Sequence, residues 1–254
     1  TASNDNTARI WNTETGEQIG PPLTHQKDVK SAQFSSNGKY IVTTSNDNSA
    51  RIWNAETKEQ VEISITHEDD VNSAQFSPNG FFLVTGSDDN TVRIWDTQQL
   101  KERIKHDNFI RSARFSSDSK YIITASLDST AKIWDIQTGK QIGKTIKHNN
   151  RINSAWFSPD SVSKYIVTAS SDCTAKIWNA KTGEQIGKTI RHKSDVNSAQ
   201  FSPNGEFIVT ASSDSTAKIW NVETGEQVGK TLKHDKNVNS AQFSPNGEFI
   251  VTAS

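Results

Sequence analysis

Short apolar runs alternate with polar turns along the whole chain. "KYIVTTS" (39–45) and "EFIVTAS" (206–212) are rich in β-branched and aromatic residues, and "TAKIWN" (216–221) has the same character. "SPNG" (77–80, 202–205, 244–247) and "ETG" (14–16, 223–225) punctuate them as turns. No long helical periodicity competes. The pattern predicts a unit of four short antiparallel strands: A ("VNSAQFS"), B ("EFIVTAS"), C ("TAKIWN") and D ("EQVGKTL"). A lone sheet of this size has two faces to cover, and stacking copies against one another covers them.

The unit recurs. Trp11, Trp53, Trp95, Trp134, Trp178 and Trp220 are separated by 42, 42, 39, 44 and 42 residues, and Trp156 alone stands outside the series. All six histidines keep the same beat (His25, His67, His106, His148, His192, His234), as do Phe34, Phe76, Phe115, Phe157, Phe201 and Phe243. Residues 171–212 and 213–254 differ at nine of 42 aligned positions, as a recent duplication would leave them. Six copies fill residues 1–254, which are read as one domain.

Composition narrows the classes. A formal charge of −1, from 28 basic and 29 acidic residues, gives no global field for nucleic acid or an anionic membrane, so neither is expected as a partner. The single cysteine, Cys173, rules out an internal disulfide framework and fits a reducing, cytoplasmic setting. No long apolar run and no signal-peptide pattern is present. The chain has no methionine, even at position 1, which points to a piece of something longer.

The recurring order of His, then "FSPNG", then Ser and Asp, then Trp-Asn or Trp-Asp resembles the WD-repeat β-propeller family across essentially the whole chain. Two departures stand out. The family's Gly-His pair is Thr-His, Lys-His or Arg-His here, and the Asp after Trp survives only as Asp96 and Asp135. The resemblance implies an all-β fold: a β-propeller of four-stranded antiparallel blades with six repeats, giving six blades if the ring closes. The chain opens and stops on "TAS", so the first C and D strands are expected to complete a blade with the last A and B. The family most often has seven blades, and the alternative is an open assembly that needs another copy or chain; the oligomeric state stays open.

In that family a histidine from the loop between D and A, a serine or threonine of strand B, an aspartate of the BC turn and the tryptophan of strand C form a hydrogen-bonded chain. Donor counting allows it: the indole N–H donates to the hydroxyl, the hydroxyl to one imidazole nitrogen, and the other imidazole N–H to the carboxylate. The sets expected here are His25, Ser45, Asp47 and Trp53; His67, Ser87, Asp89 and Trp95; His106, Ser126, Asp128 and Trp134; His148, Ser170, Asp172 and Trp178; and His192, Ser212, Asp214 and Trp220. His234 is assigned to Asp5 and Trp11, with Ser254 or Ser3 between them.

Ser, His and Asp are also the residue types of a hydrolase, but a triad is defined by geometry and roles. Catalysis needs an exposed hydroxyl and an oxyanion site, and ideally one set unlike the rest. Recurrence in every copy favours a structural role. Six histidines spread one per copy do not converge as zinc ligands do, so no metal is expected. Cys173 stands where Asn6, Asn48, Asn90, Ser129 and Ser215 stand elsewhere and reads as a turn residue. No G-x-x-x-x-G-K loop is present, and no cofactor is expected.

Function is expected where copies differ. The residues after each histidine vary most, in the DA loops that share a face with the BC turns, a common partner-binding face in the resembled family. Candidates there are Lys27, Asp28, Asp69, Asp70, Asn108, Phe109, Arg111, Arg151, Ser194, Asp195, Lys236 and Asn237. Phe109, Arg111 and Arg151 are residue types of interface hot spots. Trp156 joins them: it replaces the glutamine found at Gln33, Gln75, Gln200 and Gln242, on the strand expected to line a central channel. Trp95 to His106 spans 11 positions where other copies span 14, predicting a shortened CD hairpin, and "SPDSVSKY" (158–165) predicts an AB turn two residues longer than "SSNGKY" (35–40). The reading is a non-enzymatic scaffold binding a protein or peptide on the DA/BC loop face. The alternatives are a sensor or docking fragment of a larger multidomain regulatory protein and, less favoured, a hydrolase.

Overall fold

The structure, a computed structural model, describes residues 1–61, 65–96, 100–160 and 163–254. Among them there is strand and turn but no helix. Residues Thr1–Ala113 and Arg114–Ser254 make two compact units. In the first, β1 (Thr7–Ala8) and β2 (Leu23–Thr24) form a two-stranded sheet. β3 (Val29–Phe34), β4 (Tyr40–Ser45), β5 (Ser49–Asn54) and β6 (Ile65–Thr66) form a four-stranded sheet, and β7 (Val71–Phe76), β8 (Phe82–Ser87), β9 (Thr91–Asp96) and β10 (Leu100–Lys105) another.

The next sheet comprises β11 (Ile110–Phe115), β12 (Tyr121–Ser126), β13 (Thr130–Asp135) and β14 (Gln141–Lys147). It is followed by β15 (Ile152–Phe157), β16 (Tyr165–Ser170), β17 (Thr174–Asn179) and β18 (Gln185–Arg191). β19 (Val196–Phe201), β20 (Phe207–Ser212), β21 (Thr216–Asn221) and β22 (Gln227–Lys233) follow, then a two-stranded sheet of β23 (Ser240–Phe243) and β24 (Ile250–Ala253). Strands pair in chain order, so each four-stranded sheet is the A, B, C and D pattern of one repeat.

Both faces of each four-stranded sheet are buried along strand B, which is why those strands read as continuous rather than alternating apolar runs. On β20, Ile208 packs with Trp220 against Val167, Ala169 and Ile190 of the preceding sheet. The opposite face, Val209 and Ala211, packs against Val238, Ala241 and Phe243 of the following repeat. The polar half of "VNSAQF" ties neighbours together. Asn153 Nδ2 donates to Val196 O at 2.9 Å and Asn197 Nδ2 to Val238 O at 2.8 Å. Ser154 Oγ and Ser198 Oγ accept from the backbone N–H of Ala199 and Ala241.

Strand D is bulged. The β21/β22 register passes from Ala217↔Leu232 to Ile219↔Val228, and Gly229 takes up the extra residues at φ +70°, where a side chain is unfavourable. The short CD hairpin has Trp95 opposite Leu100, against Trp134 opposite Gln141 in the next sheet; its turn, 97–99, lies outside the described residues. In the long AB turn, residues 161 and 162 also lie outside them. Its flanks bind the preceding AB turn: Ser117 Oγ donates to Asp160 O at 2.7 Å, and Ser163 Oγ accepts from Ser117 N at 3.0 Å.

Candidate functional site

The recurring polar residues form the expected chain with one change: its hydroxyl is a threonine. Trp53 Nε1 donates to Thr43 Oγ1 at 2.8 Å, His25 Nε2 lies 2.7 Å from the same oxygen, and His25 Nδ1 lies 2.9 Å from Asp47 Oδ2. The sets Trp95, Thr85, His67, Asp89; Trp178, Thr168, His148, Asp172; and Trp220, Thr210, His192, Asp214 repeat it, with every contact between 2.8 and 3.0 Å. Trp134 donates to Thr124 Oγ1 at 3.0 Å. Ser45, Ser87, Ser126, Ser170 and Ser212 are therefore not the bridging hydroxyls.

Register gives the reason. Trp220 sits opposite Ile208, so Thr210 is the next residue on the same face. Ser212 is one same-face step further, about 13 Å along the strand from the level of Trp220 at about 3.3 Å per residue. The indole reaches the first hydroxyl and not the second. The serines pin the DA loop to the BC turn instead. Ser45 Oγ donates to Lys27 O and accepts from Asp47 N, both at 3.0 Å, and Ser212 Oγ bonds Ser194 O and Asp214 N in the same way.

Within their own units, His234 Nε2 lies 2.9 Å from Thr252 Oγ1, and Trp11 Nε1 donates to Thr1 Oγ1 at 3.0 Å. Asp5 accepts from Thr7 Oγ1 and Arg9 Nη2.

One assignment of protons satisfies each complete chain: indole N–H to threonine oxygen, threonine O–H to Nε2, and Nδ1–H to carboxylate. Burial holds His25, His148 and His192 below the usual imidazole value, with the adjoining carboxylate opposing. Burial works against ionisation of Asp47, yet hydrogen bonds from Gln26 N, Ser49 and His25 outweigh it and hold the carboxyl at about 2; Asp172 is held at about 2 in the same manner. Asp89 and Asp214 are also lowered. The product is a neutral imidazole against an ionised carboxylate, with the threonine hydroxyl 0% exposed. An inaccessible hydroxyl cannot attack a substrate; the arrangement fastens loop to sheet.

It also joins successive repeats. The backbone N–H of His67 donates to Asn48 O at 2.8 Å and that of His192 to Cys173 O at 3.0 Å. Asn6, Asn48, Asn90, Ser129, Cys173 and Ser215 all take positive φ there, from 64° to 68°. Cys173 is thus a left-handed turn residue. Among the described residues no group of three or more His, Cys, Asp or Glu is placed to hold a metal.

The copy-specific candidates lie in the DA loops and the first turns of strand A. Lys27, Asp69, Asn108, Phe109, Arg111, Arg151, Lys236 and Asn237 are exposed, and Asp28, Asp70, Ser194 and Asp195 are partly so. Burial, with Asp69 and Asp88 nearby, raises the Asp70 carboxyl. Arg151 donates from Nε to Ser171 Oγ at 3.0 Å, and its Nη2 lies 3.6 Å from Asp195 Oδ2. Trp156 is partly buried and stacks on Arg114, whose Cζ lies 4.5 Å from the ring centroid. Arg114 is absent from the residues expected to function, although the sequence carries its signal: it is a second departure from glutamine at that strand position, one copy earlier.

Repeated four-stranded antiparallel sheets with this indole, threonine, imidazole and carboxylate chain define a β-propeller of the WD-repeat class. The family model of the IFT122 first β-propeller matches residues 1–254, and the chain belongs to that family. No curated protein matches the chain.

Proposed function

We propose that the chain is a non-enzymatic, cytoplasmic protein-interaction scaffold whose DA/BC loop face takes a protein or peptide. One observation carries this reading: most of the residues that the repeats share are used up in buried bonds and packing, whereas the residues after each histidine, which differ between repeats, are mostly exposed. Surfaces that differ from copy to copy supply specificity, and Phe109, 38% exposed, is an aromatic anchor of the kind that dominates interfaces. Membership of a propeller family supports a scaffold role.

The test is site-specific photo-crosslinking in lysate of the source organism. A benzophenone amino acid replaces Phe109 on the DA loop or Phe249 of an AB turn, which is 68% exposed. A discrete adduct from position 109 alone supports the assignment; adducts only from position 249 refute it.

A further inference from the structure

Among the described residues Arg114 is a cation without an anion. Its side chain is only partly exposed, its Nε is buried and makes no hydrogen bond among the described residues, and burial alone, with no charged neighbour contributing, pulls the guanidinium down to about 10. It remains charged at neutral pH. Its guanidinium lies over the face of Trp156, with Cζ 4.5 Å from the ring centroid. Burying a charge is costly unless it is paired, and removing either member of a pair leaves the other as a penalty. Four other repeats avoid the cost with a glutamine at this position (Gln33, Gln75, Gln200, Gln242), and the fifth has Trp156 itself. Two departures from one repeat position, in consecutive copies, are in contact.

Trp156 opens onto a cavity, and Arg114 reaches it through that ring. Trp156, Gln200 and Gln242, the same strand position in three successive copies, line it together with Phe157, Phe201 and Phe243. It offers a partly buried indole ring, two amides and phenyl walls, with the guanidinium of Arg114 seated over that ring. A guanidinium on an aromatic face can still offer its fork to a carboxylate. A small inorganic anion would use the arginine and leave the phenyl walls unmatched, whereas an acidic side chain with an apolar neighbour on the same chain uses both.

We propose that this cavity is a second peptide site, distinct from the DA-loop face, in which Arg114 stacked on Trp156 takes the carboxylate of an aspartate or glutamate side chain while Phe157, Phe201 and Phe243 receive an adjacent apolar side chain.

The test is calorimetric titration of the chain with three probes: the end-blocked peptide acetyl-Phe-Glu-Phe-amide, its acetyl-Phe-Gln-Phe-amide twin, and inorganic phosphate. The same titrations are run on Arg114→Gln, which installs the residue four other repeats carry. The Glu peptide is expected to bind the parent chain at least about tenfold more tightly than the Gln twin, equivalent to about 1.4 kcal/mol. That preference disappears in Arg114→Gln, whose melting temperature equals or exceeds the parent's. Equal affinity for the two peptides, binding of neither, or a preference surviving in the variant overturns the proposal. Phosphate binding as tightly as the Glu peptide overturns the peptide assignment. A variant melting several degrees lower makes Arg114 a structural prop and overturns it too.

Discussion

The indole N–H of Trp220 donates to Thr210 Oγ1 at 2.8 Å, ten residues back along the hairpin. The same offset links Trp11 to Thr1, Trp53 to Thr43, Trp95 to Thr85, Trp134 to Thr124 and Trp178 to Thr168. Thr210 also meets His192, which meets Asp214. A bond between two strands is thereby extended into the loop ahead of the sheet, and every member has its partner.

Acid should weaken the fold in two stages. His25, His148 and His192 have folded values below 6.5, so the unfolded chain binds protons more readily, and stability present above 6.5 is lost as pH falls through the lowered values. Asp47 and Asp172, held at about 2, contribute stability above 3.8 that is lost as pH falls from 3.8 toward 2. Melting temperatures between pH 8 and pH 3 should decline from about 6.5 downward. A plateau reaching to pH 4 would contradict neutral buried imidazoles.

Cys173 sits at φ +66° with its carbonyl bonded to His192 N. A β-branched side chain is strained there, so Cys173→Val should cost about 1–3 kcal/mol. Cys173→Asn, the residue at Asn48 and Asn90, should leave the melting temperature equal or higher. Denaturant titration of both variants checks the order, which a reversal would refute.

Ala180 lines a cavity with Tyr121, Ile133, Ile142 and Phe157. The equivalent position in the next repeat is Val222, which packs on the core there. Ala180→Val adds two carbons to apolar space and should stabilise by about 0.5–2 kcal/mol. A fall in stability would mean that the walls cannot accept the added methyls.

Much of this was legible in the sequence. Trp spacing and the "FSPNG" motif reported repeat, strand kind and family because a stacked sheet needs the same residues at the same places in every copy. The bridging hydroxyl was not legible, because Thr210 and Ser212 share a face and a chemistry; only the pairing of Ser212 with Thr216 across the BC turn, which puts Trp220 opposite Ile208, separates them. Arg114 stayed hidden for a different reason. Its departure from glutamine is visible, but its meaning lies in having no acidic partner among the described residues, and a sequence shows which charges exist but not which are left alone.

The most direct test is a pair of double-mutant cycles on stability. Thr210→Val with Trp220→Phe should show a coupling of about 0.5–1.5 kcal/mol, the net worth of a hydrogen bond, while Ser212→Ala with Trp220→Phe should show none. Coupling through Ser212 and not through Thr210 would contradict the threonine-centred bond as what holds each repeat together.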